Sequence, residues 1–163
     1  EDLFTWVQQH GGNLTTDVAE TWKLIAGKKT WFKARFSLAD VLQSDIIVGL
    51  VSANVTPFAA IVDGIYFAKV DGSAALTLNL TKNSTTTSIA VTTLVAATMV
   101  EVAFEYDGAT VVSAYVNGAR VGGTTTLTNL IDDEELAISF GVANGEGVAK
   151  VLLLDYVFAA SER

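Results

Sequence analysis

The 163-residue chain contains no cysteine, one proline, one histidine and one methionine. Without cysteine it has neither disulfides nor thiolate metal sites, so its stability must come from packing. The lone histidine, His10, excludes paired-imidazole metal sites and makes any Ser-His-Asp arrangement depend on one N-terminal residue. A surface histidine is the default. Cations are also scarce: ten Lys and Arg face eighteen Asp and Glu, for a net charge of −8. Nucleic acid and anionic membrane both call for clustered Lys and Arg, so neither is expected as a partner. Long apolar runs are missing too. "VLLLDYVFAA" is broken by Asp155 and "SIAVTTLVAATMV" by threonines at strand-like intervals, so neither reaches the length of a membrane span, and a soluble protein is expected.

Half of the residues are hydrophobic, and Val, Ile, Phe and Tyr, which suit a pleated, partly buried surface, are prominent among them. The stretch "YDGATVVSAYVNGARVGG", residues 106 to 123, carries Asp107-Gly108 and Asn117-Gly118 on either side of an alternating apolar run. Both dipeptides reach positive φ at low cost and read as tight hairpin tips, so the stretch is a three-stranded meander. Before it, Val100, Val102, Phe104 and Tyr106 alternate with Glu101, Ala103 and Glu105, which sends the large apolar groups to one face and the carboxylates to the other.

Strand signals recur along most of the chain. "AETWKLIAG" and "KTWFKARFSL" read as strands about Gly27-Lys28, and "SLADVLQSD" as the one plausible helical turn, with Ser37 as its cap. "DIIVGLVSA" is apolar enough for a strand covered on both faces, and Pro57 marks an edge or loop. "GIYFAKV", "ALTLNLTK", "TTTSIAVTTL", "ELAISFGVAN" and "GVAKVLLLDYVFAAS" complete a set spaced like a β-sandwich or jelly roll. The expected fold is therefore all-β, an antiparallel two-sheet sandwich over residues 18–163, with Val102, Phe104, Tyr106, Phe140 and Leu153 among its buried residues. Residues 1–17 read as an N-terminal arm or first edge strand.

The last third of the chain, "FEYDG", "VVSAYVNG", "ELAISFGVANGEG" and "KVLLLDYVFA", resembles the concanavalin A-like, or laminin-G-like, sandwich superfamily. Combined with "WFKARFSL", "SDIIVGLVSA" and "DGIYFAKVDG", it is similar to structural proteins of tailed bacteriophages, over residues 20 to 163. The resemblance implies a virion protein that decorates or cements the outer capsid shell. Its partners would be the major capsid protein and neighbouring copies of itself, as a trimer. A lectin-like carbohydrate-binding module on a tail or fibre is the alternative.

The superfamily includes glycoside hydrolases, so the carboxylates need testing. Glu101 and Glu105 share a strand face four residues apart, roughly 13 Å at strand rise. Retaining pairs need about 5 Å and inverting pairs about 6.5 to 9.5 Å. Asp107 is taken up by its turn, and the hydrolases' Glu-x-Asp-x-Glu strand motif is absent. The expectation is a chain that is not an enzyme, with no catalytic residue, no metal and no cofactor. "IDDEEL", residues 131 to 136, and "GVANGEG" lack the D-x-D-x-D-G spacing of a calcium loop and read as acidic and glycine-rich turns. Trp22 and Trp31 have apolar neighbours and read as core. Phe4, Trp6 and Val7, in a stretch without core periodicity, are the candidate partner-contact residues, since aromatics most often anchor interfaces.

Overall fold

Alternation of large apolar and polar side chains organises nearly every strand. In the computed structural model, which describes residues 4–8, 22–52, 58 and 60–163 and only the backbone of 4–8, it produces eleven strands in two sheets. These are β1 (Phe4–Gln8), β2 (Thr30–Leu38), β3 (Ser44–Val51), β4 (Gly64–Lys69), β5 (Ala75–Lys82), β6 (Thr85–Thr93), β7 (Val100–Tyr106), β8 (Val112–Val116), β9 (Ala119–Thr124), β10 (Ala137–Asn144) and β11 (Leu152–Ser161). One sheet has the order β1-β10-β3-β4-β5-β6 and the other β11-β2-β7-β8-β9. Every pairing in both is antiparallel. The fold is an all-β, concanavalin A-like jelly-roll sandwich, as the strand pattern predicts.

The core lies between the sheets. Phe32, Ala34 and Phe36 of β2 and Val102, Phe104 and Tyr106 of β7 meet Ile46, Val48, Leu50, Ile65 and Phe67 of the other sheet. Phe32 stacks on Phe104 at 5.4 Å between ring centroids, and Phe67 reaches Phe104 from the opposite sheet at 6.3 Å. Aromatic contacts of this kind add to the free energy of simple apolar burial. β3 is covered on both faces, as its continuous apolar run requires. Its outer face carries Ile47 and Val51, which join Ile61, Tyr66 and Phe58 in a second apolar cluster.

Several local expectations are corrected. Within "AETWKLIAG" the described residues form no strand: Trp22 makes a single two-way bridge with Leu136, and the chain then turns at Gly27. Trp22 is half-buried against the core. "SLADVLQSD" contains no helical turn. Ser37 lies buried within β2, and it is the carboxylate of Asp40 that accepts the N–H groups of Leu42 (2.8 Å) and Gln43 (3.0 Å), satisfying the bend locally. The first turn of the meander is longer than two residues. Tyr106 pairs with Val112, and Asp107 Oδ1 accepts the N–H groups of Ala109, Thr110 and Val111 across the loop. The second turn is a true two-residue tip, with Val116 opposite Ala119 and positive φ at Asn117 (48°) and Gly118 (80°).

Leu153 is 56% exposed, against expectation. Asp155 is an extra residue in β11: Leu154 pairs with Phe36 and Tyr156 with Arg35, leaving Asp155 unmatched. Counting back from Val157 by twos lands on Leu153, but the bulge moves the inward positions to Leu152 and Leu154. Phe140 is half-buried and packs against the core, and Val102, Phe104 and Tyr106 are buried.

β1 forms one edge of the six-stranded sheet through β10, with Phe4 opposite Ala143 and Gln8 opposite Ser139. The backbone of Phe4, Trp6 and Val7 therefore sits in a paired strand, while their side chains lie outside the described residues. His10 and Pro57 lie outside them altogether.

Candidate functional site

The five-stranded sheet turns one face to the core and the other to solvent. Cross-strand register assembles the solvent face into rows. One row runs Phe158 (β11), Lys33 (β2), Ala103 (β7), Tyr115 (β8) and Arg120 (β9). The row on one side is Ala160, Trp31, Glu105 and Ser113, and the row on the other is Tyr156, Arg35 and Glu101. Ala103 is the small residue among large neighbours. A hollow of about 370 Å³ opens above it, walled by Trp31, Phe158 and Tyr115 and edged by Lys33, Glu101 and Glu105.

Trp31 is thus a wall of this hollow rather than a core residue. It alternates with Phe32, and Phe32 takes the inward position. Phe158 is 51% exposed, which is unusual for a large aromatic in a regular strand. Tyr156 and Phe158 face outward because they alternate with Val157 and Ala159, which pack on the core, while the Asp155 bulge lets Leu152 and Leu154 face inward as well.

The polar groups are tied together. Lys33 Nζ lies 2.9 Å from Glu101 Oε1, and the Tyr156 hydroxyl donates to Glu101 Oε2. The Tyr156 bond, then the Lys33 ammonium, holds the Glu101 carboxyl below its ordinary value, while Glu101 pushes the Tyr156 phenol and the Lys33 ammonium up. Glu105 accepts the Tyr115 hydroxyl at 3.2 Å and has Lys29 Nζ at 4.0 Å. Arg35 pairs with Asp155 at 2.6 Å. Each glutamate of the open face therefore has a tyrosine hydroxyl as a hydrogen-bond donor.

The acidic turns are occupied by lysines. In "IDDEEL", Asp132 and Asp133 hold Lys82 Nζ at 2.5 and 3.1 Å. Beside "GVANGEG", the Lys150 ammonium pairs with Asp40 at 2.9 Å and with Glu146, and its backbone N–H donates to Asn144 Oδ1 at 2.8 Å. Among the described residues no group of three or more His, Asp or Glu is arranged to hold a metal ion.

The molecule is thus a concanavalin A-like sandwich with an open sheet face of aromatic, acidic and basic residues around a small floor. No family model and no curated protein matches the chain by sequence. Solved structures do match by shape. The β-glucanase of Bacillus licheniformis superposes with a TM-score of 0.61 at 15% identity, covering 82% of this chain and 66% of its own. The endo-β-1,4-glucuronan lyase of the fungus Trichoderma reesei gives 0.58 at 11% identity, covering 98% and 74%. Alginate lyase A1-II′, of polysaccharide lyase family 7, gives 0.54 at 12% identity, covering 98% and 79%. At such identities the likeness is one of fold.

The expectation that the chain is not an enzyme is corrected by these comparisons to this extent: structures that share its fold over most of its length include lyases and glucanases, so the fold does not argue against catalysis. Glu101 and Glu105 remain too far apart to serve as a pair, but the folded sheet sets a phenol against each of them, and a carboxylate with a phenol is also a proton-transfer pair.

Proposed function

We propose that the chain is a carbohydrate-active protein whose open sheet face holds a short stretch of polysaccharide above Ala103. The observation that carries this reading is the hollow itself, where three aromatic rings surround a small floor and two glutamates and a lysine stand at its edge. The C–H-bearing face of a sugar ring packs on aromatic surface, while its hydroxyls need both acceptors and donors. Trp31, Phe158 and Tyr115 supply the first, and Glu101, Glu105 and Lys33 the second. Phe158 and Tyr115 stand three strand spacings apart, roughly 14 Å, which is room for a few sugar rings. The two Tyr–Glu pairs are the groups from which proton transfer to a bound sugar would start.

The open face supports the lectin-like alternative over capsid attachment, because aromatic rings and hydrogen-bonding groups stand together on it as a sugar requires. The phage-like segments would place such a face on a virion, towards a surface polysaccharide of the host.

Affinity electrophoresis through gels containing dissolved polysaccharides tests the reading. The expected result is that wild-type protein is retarded by at least one polysaccharide and that Trp31→Ala runs as in a plain gel. Absence of retardation across a broad set of neutral, acidic and amino-sugar polymers would refute it. Release of new chain ends that disappears in Tyr156→Phe or Tyr115→Phe would assign cleavage to the corresponding pair.

A further inference from the structure

The charges at the edge of the hollow carry a statement about which sugars it accepts, resting on its reading as a glycan site. Its lining holds one cation, Lys33, and two carboxylates, Glu101 and Glu105. The cation is already committed to Glu101 at 2.9 Å. The other cations of the face are engaged or turned aside. Arg35 pairs with Asp155 at 2.6 Å, and Lys29 lies 4.0 Å from Glu105. Arg120, opposite Tyr115, directs its guanidinium over Gly123 and does not line the hollow. The chain as a whole carries a net charge of −8.

We infer that the groove selects uncharged sugars and rejects uronates, and that Glu101 and Glu105 enforce the rejection. A uronate carboxylate that sought Lys33 would displace Glu101 from its ammonium, leaving two carboxylates side by side with one cation between them. Like charges brought together at a partly desolvated surface oppose binding, and discrimination arises from that unpaired charge as much as from any favourable contact. An uncharged sugar displaces nothing. Its ring packs against Trp31, Phe158 and Tyr115, and its hydroxyls donate to oxygens of the glutamates. The low-lying Glu101 carboxyl keeps the arrangement charged through the neutral range.

The experiment compares sugars that differ in charge alone. A β-1,4-glucan and a β-1,3-glucan are each run beside their C6-carboxylated derivatives in affinity gels at low salt. The expected result is retardation by an uncharged glucan and retention at least about tenfold weaker by its carboxylated form, with the gap narrowing as salt is raised. In the Glu101→Gln/Glu105→Gln variant, Lys33 is released and the carboxylated polymer gains retention. Equal or stronger retention of the carboxylated polymers by wild-type protein would overturn the inference while leaving the glycan site standing. If no polysaccharide of any charge retards the protein, the proposed function itself fails.

Discussion

Asn117 and Glu101 are bonded in both directions. The Asn117 side-chain carbonyl accepts the backbone N–H of Glu101 at 3.0 Å, and the backbone N–H of Asn117 donates to the carbonyl of Glu101 at 2.9 Å. The tip of the β8–β9 hairpin thereby fixes the start of β7, from which Glu101 reaches Lys33 and Tyr156. Asn117 also holds a φ of 48°, which asparagine tolerates better than most residues. Asn117→Ala loses both the side-chain bond and that tolerance, and is expected to cost about 2 kcal/mol in urea denaturation. Asn117→Gly keeps the backbone conformation and is expected to cost about half as much.

Neighbouring aromatics in β2 separate stability from binding. Phe32 is fully buried and stacks on Phe104, so Phe32→Ala is expected to lose roughly 3 to 5 kcal/mol. Trp31 stands on the open face. Trp31→Ala is expected to change stability by about 1 kcal/mol or less while abolishing polysaccharide retention. Chemical denaturation and affinity electrophoresis of the two variants check the contrast. Equal losses of stability would place Trp31 back in the core.

The Asp40–Lys150 pair gives stability a defined pH window. The Lys150 bond, and then the Leu42 and Gln43 N–H groups, hold the Asp40 carboxyl down at about 2 from an ordinary 3.8. A lowered carboxyl stabilises the fold fully above its ordinary value and loses that contribution as pH falls from 3.8 towards 2. Lys150 is raised above 10.5, first by Glu146 and then by Asp40, so its contribution is complete below 10.5 and fades as pH rises past it. Lys150→Met is therefore expected to melt below wild type at neutral pH, with the difference closing both under strong acid and at high alkalinity. Melting curves across pH read this directly, and a difference independent of pH would contradict it.

Gly49 reverses an ordinary rule. Replacing a strand-interior glycine with alanine usually gains about 0.5 to 1 kcal/mol. Here a Cβ at position 49 would lie 2.5 Å from Tyr66 Cα and 2.6 Å from the Ile65 carbonyl oxygen. β3 and β4 would have to separate at the centre of their sheet. Gly49→Ala is expected to destabilise by about 3 kcal/mol or more, as measured by denaturant unfolding.

The sandwich was legible because its strands alternate cleanly. Val102, Phe104 and Tyr106 go inward and Glu101 and Glu105 outward as their spacing dictates, and Asn117-Gly118 makes the tight turn that its dihedral freedom suits. The site was legible only in part. Glu101 and Glu105 stood out as acids on one face, but Tyr156 comes from the distant β11, whose pairing register is not written in local sequence, and the place of Tyr115 depends on a β7–β8 loop longer than the two-residue tip that Asp107-Gly108 suggests. Trp31 does not fit the core reading given it from its apolar neighbours, and the sequence holds the signal: it shares a strand face with Lys33 and Arg35, opposite Phe32, Ala34 and Phe36. Asp40, 110 residues before Lys150, carried no signal of its ion pair.

The Asp155 bulge has an evolutionary side. If Asp155 were deleted, Leu154 and Tyr156 would become consecutive while keeping their present partners Phe36 and Arg35, so Tyr156 and Phe158 would stay on the outer face. The bulge thus takes up one codon, gained or lost, without moving the pairs on either side of it. A lineage could lose that residue in a single mutational step and give up only the Arg35–Asp155 ion pair, with the aromatic rim and the core both left in place.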